Sequence, residues 1–159
     1  MQINKSSRHS KIVGDFGEHL VCNWLSRSGF EVSIVDHTGI DIIAYNKALK
    51  QRLGISVKSR TRDPGKETES VIVFHSPKDR KHLLAACTAF GCDEAWLAIY
   101  VESEATGDLF LTSLENYERK YRAGKAVQSW RMTPSQTRRY ATDPEVRHIH
   151  FNFAEDNWW

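Results

Sequence analysis

The sequence has no apolar run approaching the ~18 residues that a membrane-spanning helix needs, which predicts a protein without a membrane segment. It has only three cysteines, Cys22, Cys87 and Cys92. They do not form the paired clusters that are typical of zinc sites. Their odd number, and the absence of a signal-peptide pattern, predict free thiols and a cytoplasmic protein. The sequence also lacks internal repeats and low-complexity tracts, so nothing in it indicates a division into several domains.

The sequence also has little net charge, because its 22 basic and 20 acidic residues nearly balance and leave a formal net charge of +2. A value this small names no partner by itself. The distribution is more informative, since positions 47–66 carry a single acid, Asp63, among seven basic residues: Lys47, Lys50, Arg52, Lys58, Arg60, Arg62 and Lys66. Taken alone, such a run is more typical of a solvated loop between strands, and the alternative interpretation is a local patch that faces phosphate groups.

The residues that are present predict one α/β domain. With 159 residues, 40% of them hydrophobic, the chain is long enough to bury one core. We predict a flexible arm over 1–10 and a single domain over 11–159. Apolar spacing and turn residues predict helices or helical turns at 11–28, 76–91, 113–124 and 133–144, and strands at 30–36, 40–45, 52–60, 69–75, 94–102, 108–114 and 146–153. This order describes an α/β sandwich around a mixed sheet.

The strand over 52–60, RLGISVKSR, contains the first candidate functional residues. Its alternation places Ser56, Lys58 and Arg60 on one side. Asp41 begins the preceding strand, so a hairpin between the two strands brings it close to the 56–58 end. A simple cross-strand ion pair would explain a carboxylate near an amine. However, Asp41 stands at the mouth of a strongly apolar strand, where an uncompensated charge is costly.

A third charged residue points to the same place. Glu18 falls at the margin of the apolar stripe of the first predicted helix, and so it can lean over the edge of whatever that helix covers. Two carboxylates and a lysine, surrounded by cations, form the set that metal-assisted phosphodiester hydrolysis requires. The acids hold Mg²⁺ through oxygen, the metal polarises the phosphate, and the lysine positions water or stabilises developing charge.

The stretch from 14 to 60 resembles the PD-(D/E)XK nuclease superfamily, and in particular the archaeal Holliday-junction resolvases and the Mrr-type restriction endonucleases. The resemblance rests on Glu18 in a helix, on a Gly-x-Asp that ends at Asp41, and on Ser56-Val57-Lys58 in the next strand. It implies an α/β fold with a restriction-endonuclease-like αβββαβ core, in which helices flank a mixed central β-sheet. This core would span 11–102, and 103–159 would be an extension.

The resemblance also implies an activity, which is Mg²⁺- or Mn²⁺-dependent cleavage of duplex or branched DNA by a homodimer. Asp41, Glu18, Ser56 and the backbone carbonyl of Val57 would hold the metal, and Lys58 would act in catalysis. Nucleic-acid contacts would come from four basic residues, namely Arg60, Arg62, Lys66 and Lys78.

Ser56 departs from this pattern, because the superfamily usually has Glu, Asp or Gln at that position. One interpretation is that another carboxylate, from Glu18, Glu67 or Glu69, completes the metal site. The alternative is a catalytically inactive nuclease fold that binds nucleic acid or a protein partner. Elsewhere, His148 and His150 share a strand face and resemble a metal pair. Two histidines without a third ligand at a suggestive spacing rarely make a site.

Overall fold

A computed structural model describes residues 5–62, 72–121 and 128–153. Four helices lie within these ranges: α1 (His9–Arg27), α2 (Pro77–Ala89), α3 (Leu114–Lys120) and α4 (Pro134–Ala141). The same ranges contain eight strands: β1 (Phe30–His37), β2 (Ile40–Asn46), β3 (Gln51–Thr61), β4 (Ile72–His75), β5 (Glu94–Glu102), β6 (Thr106–Ser113), β7 (Gln128–Arg131) and β8 (Val146–Asn152).

Six of the strands form one sheet in the order β1-β2-β3-β5-β6-β8. Strands β3 and β5 run parallel, whereas the other neighbours in this sheet are antiparallel. The predicted mixed sheet is therefore confirmed. The parallel pair is joined through α2, as a parallel connection requires a crossover. Helix α1, strands β1 to β3, helix α2 and strand β5 together give the predicted αβββαβ order.

Helices cover both faces of this sheet. Helix α1 packs on one face because its buried residues, Val13, Gly17, Val21 and Leu25, recur every four positions and so form one stripe. The opposite face is covered by α2, α3, α4 and β7. The two resulting core clusters include Ile42, Ile55, Val57 and Tyr100 under α1, and Leu83, Ile99, Phe110, Trp130 and Tyr140 on the other side.

The structure differs from the predicted elements in three places. Helix α1 begins at His9 rather than at residue 11, because the His9 ring lies 3.1 Å from the Thr61 hydroxyl of β3, a contact that sequence periodicity cannot reveal. Helix α3 ends at Lys120, before the predicted stop at Gly124. Strand β4 pairs with β7, which was not predicted, in a separate two-stranded sheet. The division into an arm over 1–10 and one domain over 11–159 stays a prediction.

No helix in residues 5–62, 72–121 and 128–153 is both long and apolar enough to cross a membrane.

A hydrogen-bonded network around Asp143 ties α3 to the loop before β8. The Asp143 carboxylate accepts hydrogen bonds from the Tyr121 hydroxyl, from Lys120 at 2.9 Å and from Asn116 at 3.3 Å. Burial by itself would raise the pKa of Asp143, but these bonds and one from the Glu145 amide hold the pKa well below its usual range. The ionised carboxylate is therefore part of the folded structure.

Replacing Asp143 with asparagine is expected to lower the free energy of unfolding by about 2 kcal/mol at pH 7, since hydrogen bonds to a charged group are lost. The folded-state pKa lies below the ordinary value of 3.8, so this contribution is complete above that value and is lost as the pH falls through the folded-state pKa. Urea unfolding should show a smaller difference between wild type and variant at pH 3 than at pH 7. Glu115→Gln, at an exposed acid of α3, is the control. An equal gap at both pH values would contradict this account.

Candidate active site

The start of β2 is fixed by a glycine that no other residue can replace without strain. Gly39 has φ +103°, and a Cβ built on it would lie 2.5 Å from the carbonyl carbon of His82 and 2.6 Å from its oxygen. The backbone of α2 therefore approaches the β1–β2 turn more closely than a side chain would allow. This close approach fixes the position of Asp41, which comes two residues later.

Gly39→Ala is expected to destabilise the protein by about 3 kcal/mol, because the left-handed backbone and the clash with α2 add together. Gly29 offers a matched control, since it has φ +84° but nothing within 4 Å of the added Cβ. Gly29→Ala should cost only the backbone strain, about 1 kcal/mol. Thermal unfolding of both variants measures the difference, and equal losses would contradict the proposed close contact.

Asp41 lies where the β2–β3 ladder ends. The last cross-strand pair is Ile42 with Ile55. Beyond this pair, the Asp41 carboxylate replaces a backbone carbonyl as the hydrogen-bond acceptor for β3. It accepts hydrogen bonds from the Val57 N–H at 2.6 Å and from the Ser56 hydroxyl at 3.3 Å. The structure thus brings together three of the residues that were predicted to form the site.

Glu18, in α1, adds a second carboxylate to the region around Asp41. It is half-buried and follows the buried Gly17, where α1 lies so close to β3 that a Cβ would fall 2.2 Å from the Ser59 hydroxyl oxygen. The pKa of Glu18 is raised, first by burial and next by the negative charge of Asp41. A divalent ion would favour the charged form of both carboxylates and so offset this effect.

Lys58 is half-buried and stands on the same side of β3 as the buried Ser56. Within the described ranges its amine has no hydrogen bond or ion pair. The carboxylate of Asp79, in the first turn of α2, is near enough to Lys58 for the charge of the lysine to affect its pKa. Burial alone would raise the pKa of Asp79, but hydrogen bonds from Ser76 and the charge of Lys58 bring that pKa below its ordinary value.

Asp79 is a residue that the sequence analysis missed. It forms a capping box with Ser76, whose N–H and hydroxyl donate to its carboxylate at 2.8 Å and 2.7 Å. The Ser-x-x-Asp pattern signals this helical position. Nothing in the pattern indicates that the same carboxylate would lie near Lys58. It is a further acid within the electrostatic influence of β3, the strand that carries Ser56 and Lys58.

The residues predicted to contact nucleic acid occupy different environments. Arg60 and Lys78 are exposed, although Arg60 also donates to the Ser59 carbonyl at 2.8 Å. Arg62 donates to the carbonyl oxygen of Met132, so at least one of its donors is used within the protein. Lys66, and the alternative acids Glu67 and Glu69, lie outside the described residues.

The atoms around Asp41 that could bind a metal ion are all oxygen atoms, from the two carboxylates, the Ser56 hydroxyl and the nearby backbone carbonyls. Mg²⁺ and Mn²⁺ prefer such hard ligands. The pKa of Glu18 is raised first by burial and next by the charge of Asp41, and a divalent ion would offset both effects. The residues present therefore fit a divalent ion at this end of the sheet.

The fold built in this way is restriction-endonuclease-like, as predicted. A solved structure similar to it is that of Hjc from Archaeoglobus fulgidus, a Holliday junction resolvase from an archaeal hyperthermophile. The two chains are 19% identical, with a TM-score of 0.55, over 75% of this chain and 84% of the other. At this identity the likeness establishes a shared fold. The sequence matches no protein-family model and no curated protein.

Proposed function

We propose that this protein is a metal-dependent endonuclease that hydrolyses phosphodiester bonds in DNA. The observation that carries the proposal is the binding of the Asp41 carboxylate to Ser56 and Val57 of the strand that bears Lys58, with a second acid, Glu18, whose pKa is raised by burial and by the charge of Asp41. A single aspartate bound to a neighbouring strand would be ordinary. A second carboxylate, half-buried and within the electrostatic influence of Asp41, would be stabilised by a cation that binds both.

Each residue has a distinct task in this proposal. Asp41 and Glu18 would hold Mg²⁺ or Mn²⁺, with the Val57 carbonyl and the Ser56 oxygen as further ligands. The Ser56 hydroxyl donates a hydrogen bond to Asp41, so the lone pairs of its oxygen remain available to an ion or a water molecule. When bound, the ion polarises the phosphate and lowers the pKa of a water molecule.

Lys58 would act on the phosphate or on the attacking water. Its amine has no ion pair within the described ranges, and it stands on the strand that borders the two carboxylates. An ammonium in this position can hold the water in line with the phosphorus atom and can stabilise the charge that develops on the phosphate oxygens. The negative charge of Asp79 would attract the lysine toward the first turn of α2.

The proposed substrate is DNA. The strand that carries Lys58 lies within the basic run over 47–66, and basic residues attract phosphate groups. Exposed Arg60 and Lys78 would contact phosphates, and such contacts position the substrate without reading its sequence. The fold neighbour is a Holliday junction resolvase, which makes a four-way junction the first substrate to test. Cutting both strands takes two sites, so we propose a homodimer, located in the cytoplasm.

The test is incubation of the full chain with supercoiled plasmid and with a synthetic four-way junction, in Mg²⁺, in Mn²⁺ or in EDTA. We expect nicked or linear products only when a divalent ion is present. Light scattering of the same preparation measures whether two chains associate. DNA binding that is unchanged by EDTA, without any cleavage in either metal, would overturn the proposal.

That outcome would support a second candidate function, a catalytically inactive nuclease fold that binds nucleic acid or a protein partner. Ser56 is the observation that favours it, since a serine stands where the superfamily usually has a metal ligand. The substitution Ser56→Glu distinguishes the two. It should raise the metal affinity of an inactive site, and it should alter little in a site that another carboxylate already completes.

A further inference from the structure

Three potential metal ligands converge at the outer edge of the sheet, away from the candidate active site. In the β6–β8 register, Asp108 pairs with His150 and Phe110 pairs with His148. Side chains two residues apart on a strand share a face, so Asp108, His148 and His150 all project from the same face. Asp108 is the third ligand that the sequence did not reveal, because it lies forty residues away along the chain.

The ligand atoms of this cluster are already close together. Nε2 of His148 and Nδ1 of His150 each lie 2.8 Å from the same carboxylate oxygen of Asp108, Oδ1. All three ligand atoms lie within 4.8 Å of one another. Ligands of a tetrahedral zinc ion are about 3.3 Å apart, given bond lengths of ~2.0–2.1 Å, so each distance from Asp108 to a histidine nitrogen needs to lengthen by only about 0.5 Å.

Both imidazole rings are oriented by residues outside the cluster. The His148 ring stacks on Phe110, with centroids 4.5 Å apart and planes 6° from parallel. The other nitrogen of His150, Nε2, lies 3.3 Å from the amide oxygen of Asn152. A histidine that ligates a metal usually donates its second N–H to such an oxygen, which fixes the tautomer and the ring plane. Nδ1 of His150 is thereby directed at Asp108.

The cluster is shielded on one side and open on the other. The side chains of Asp108 and His148 are 25% and 23% exposed, whereas that of His150 is 46% exposed. An ion can therefore enter from solvent and keep a water molecule as a fourth ligand. Two imidazoles and one carboxylate suit zinc and similar transition ions, in contrast to the oxygen donors around Asp41.

The cluster is also separate from the candidate active site. Lys58, Ile99, Phe110 and His148 form one cross-strand row through β3, β5, β6 and β8. Three strand spacings of ~4.8 Å place His148 about 14 Å from Lys58. One ion cannot serve both groups of residues.

We propose that Asp108, His148 and His150 bind a zinc-class divalent ion that fastens the edge strand β8 to β6. All three side chains would bind the ion, so the two histidines would be linked through the metal instead of through their shared hydrogen bonds to Asp108. This binding does not depend on nuclease activity, so its test stands apart from that of the proposed function.

The experiment is a calorimetric titration of the full chain with Zn²⁺ in excess Mg²⁺, which occupies oxygen-only sites. We expect wild type to bind one Zn²⁺ that His150→Gln weakens by at least about 100-fold and Asn152→Ala by about 10-fold, as for loss of a ligand and of its orienting partner. His19→Gln, at an exposed histidine of α1, should have no effect. Asp41→Asn should also leave this Zn²⁺ bound.

Two results would overturn the proposal. One is an equal Zn²⁺ affinity in wild type and in His150→Gln, which is what an ordinary hydrogen-bonded cluster predicts. The other is loss of Zn²⁺ binding in Asp41→Asn or His19→Gln. If His150→Gln fails to fold, histidine NMR of wild type decides: Zn²⁺ must shift the ring signals of His148 and His150 at one equivalent, and unshifted signals would contradict the assignment.

Discussion

Asp41→Asn is expected to lower the rate of DNA cleavage by on the order of 10³-fold or more, since a bound ion supplies several kcal/mol of transition-state stabilisation. The asparagine oxygen can still accept the Val57 N–H that the carboxylate accepts at 2.6 Å. The fold should therefore persist while the charge that holds the ion is lost. Cleavage rates at saturating Mg²⁺, together with Mg²⁺ titrations, measure both effects.

Glu31→Gln is the matched control for this loss of charge, because Glu31 is exposed near the opposite end of the β1–β2 hairpin, where it pairs with Tyr45. It should cleave DNA at the wild-type rate. If Asp41→Asn were fully active, or if it were inactive only because it unfolds, Asp41 would not be the metal ligand that we propose.

Lys58→Ala is expected to reduce cleavage by about 10²–10³-fold, the loss that follows removal of one group that stabilises transition-state charge. DNA affinity should fall only slightly, because a single phosphate contact contributes about one unit to the salt dependence of binding. The combination of near-normal binding with slow cleavage separates a catalytic lysine from one that merely attracts DNA. Single-turnover cleavage and a filter-binding titration give the two values.

Lys47→Ala provides the comparison for a basic residue of the same run, since Lys47 is exposed in the β2–β3 turn at the far end of the hairpin. Its cleavage rate at saturating DNA should equal that of wild type. A similar loss of rate in both variants would assign Lys58 to general electrostatic attraction rather than to chemistry.

The part of the site that the sequence could predict is the part built by one hairpin. Two strands joined by a short turn must lie side by side, so the position of Asp41 near Ser56 and Val57 followed from strand length and alternation alone. The structure places the Asp41 carboxylate on those two residues. The helical spacing likewise placed Glu18 at the margin of an apolar stripe, where it is half-buried.

The parts that escaped the sequence depend on contacts between distant segments. The charge of Lys58 affects the pKa of Asp79 only because α2 packs against the sheet. There the backbone of His82 in α2 lies close to Gly39 in the β1–β2 turn. Asp108 meets His148 through the β6–β8 register, which no local pattern specifies. Strand β7 was missed because it is short and pairs only with β4, outside the main sheet. Periodicity describes which face of an element is buried, but not which elements become neighbours.

We propose that Asp41 and Glu18 hold a working metal centre with a serine, Ser56, rather than a carboxylate on the neighbouring strand. Anomalous scattering from crystals grown in Mn²⁺ tests this most directly. We predict a peak between the carboxylates of Asp41 and Glu18 that is absent in Asp41→Asn crystals. Mn²⁺ bound elsewhere on the protein, with no peak at Asp41 in the wild type, would contradict the claim.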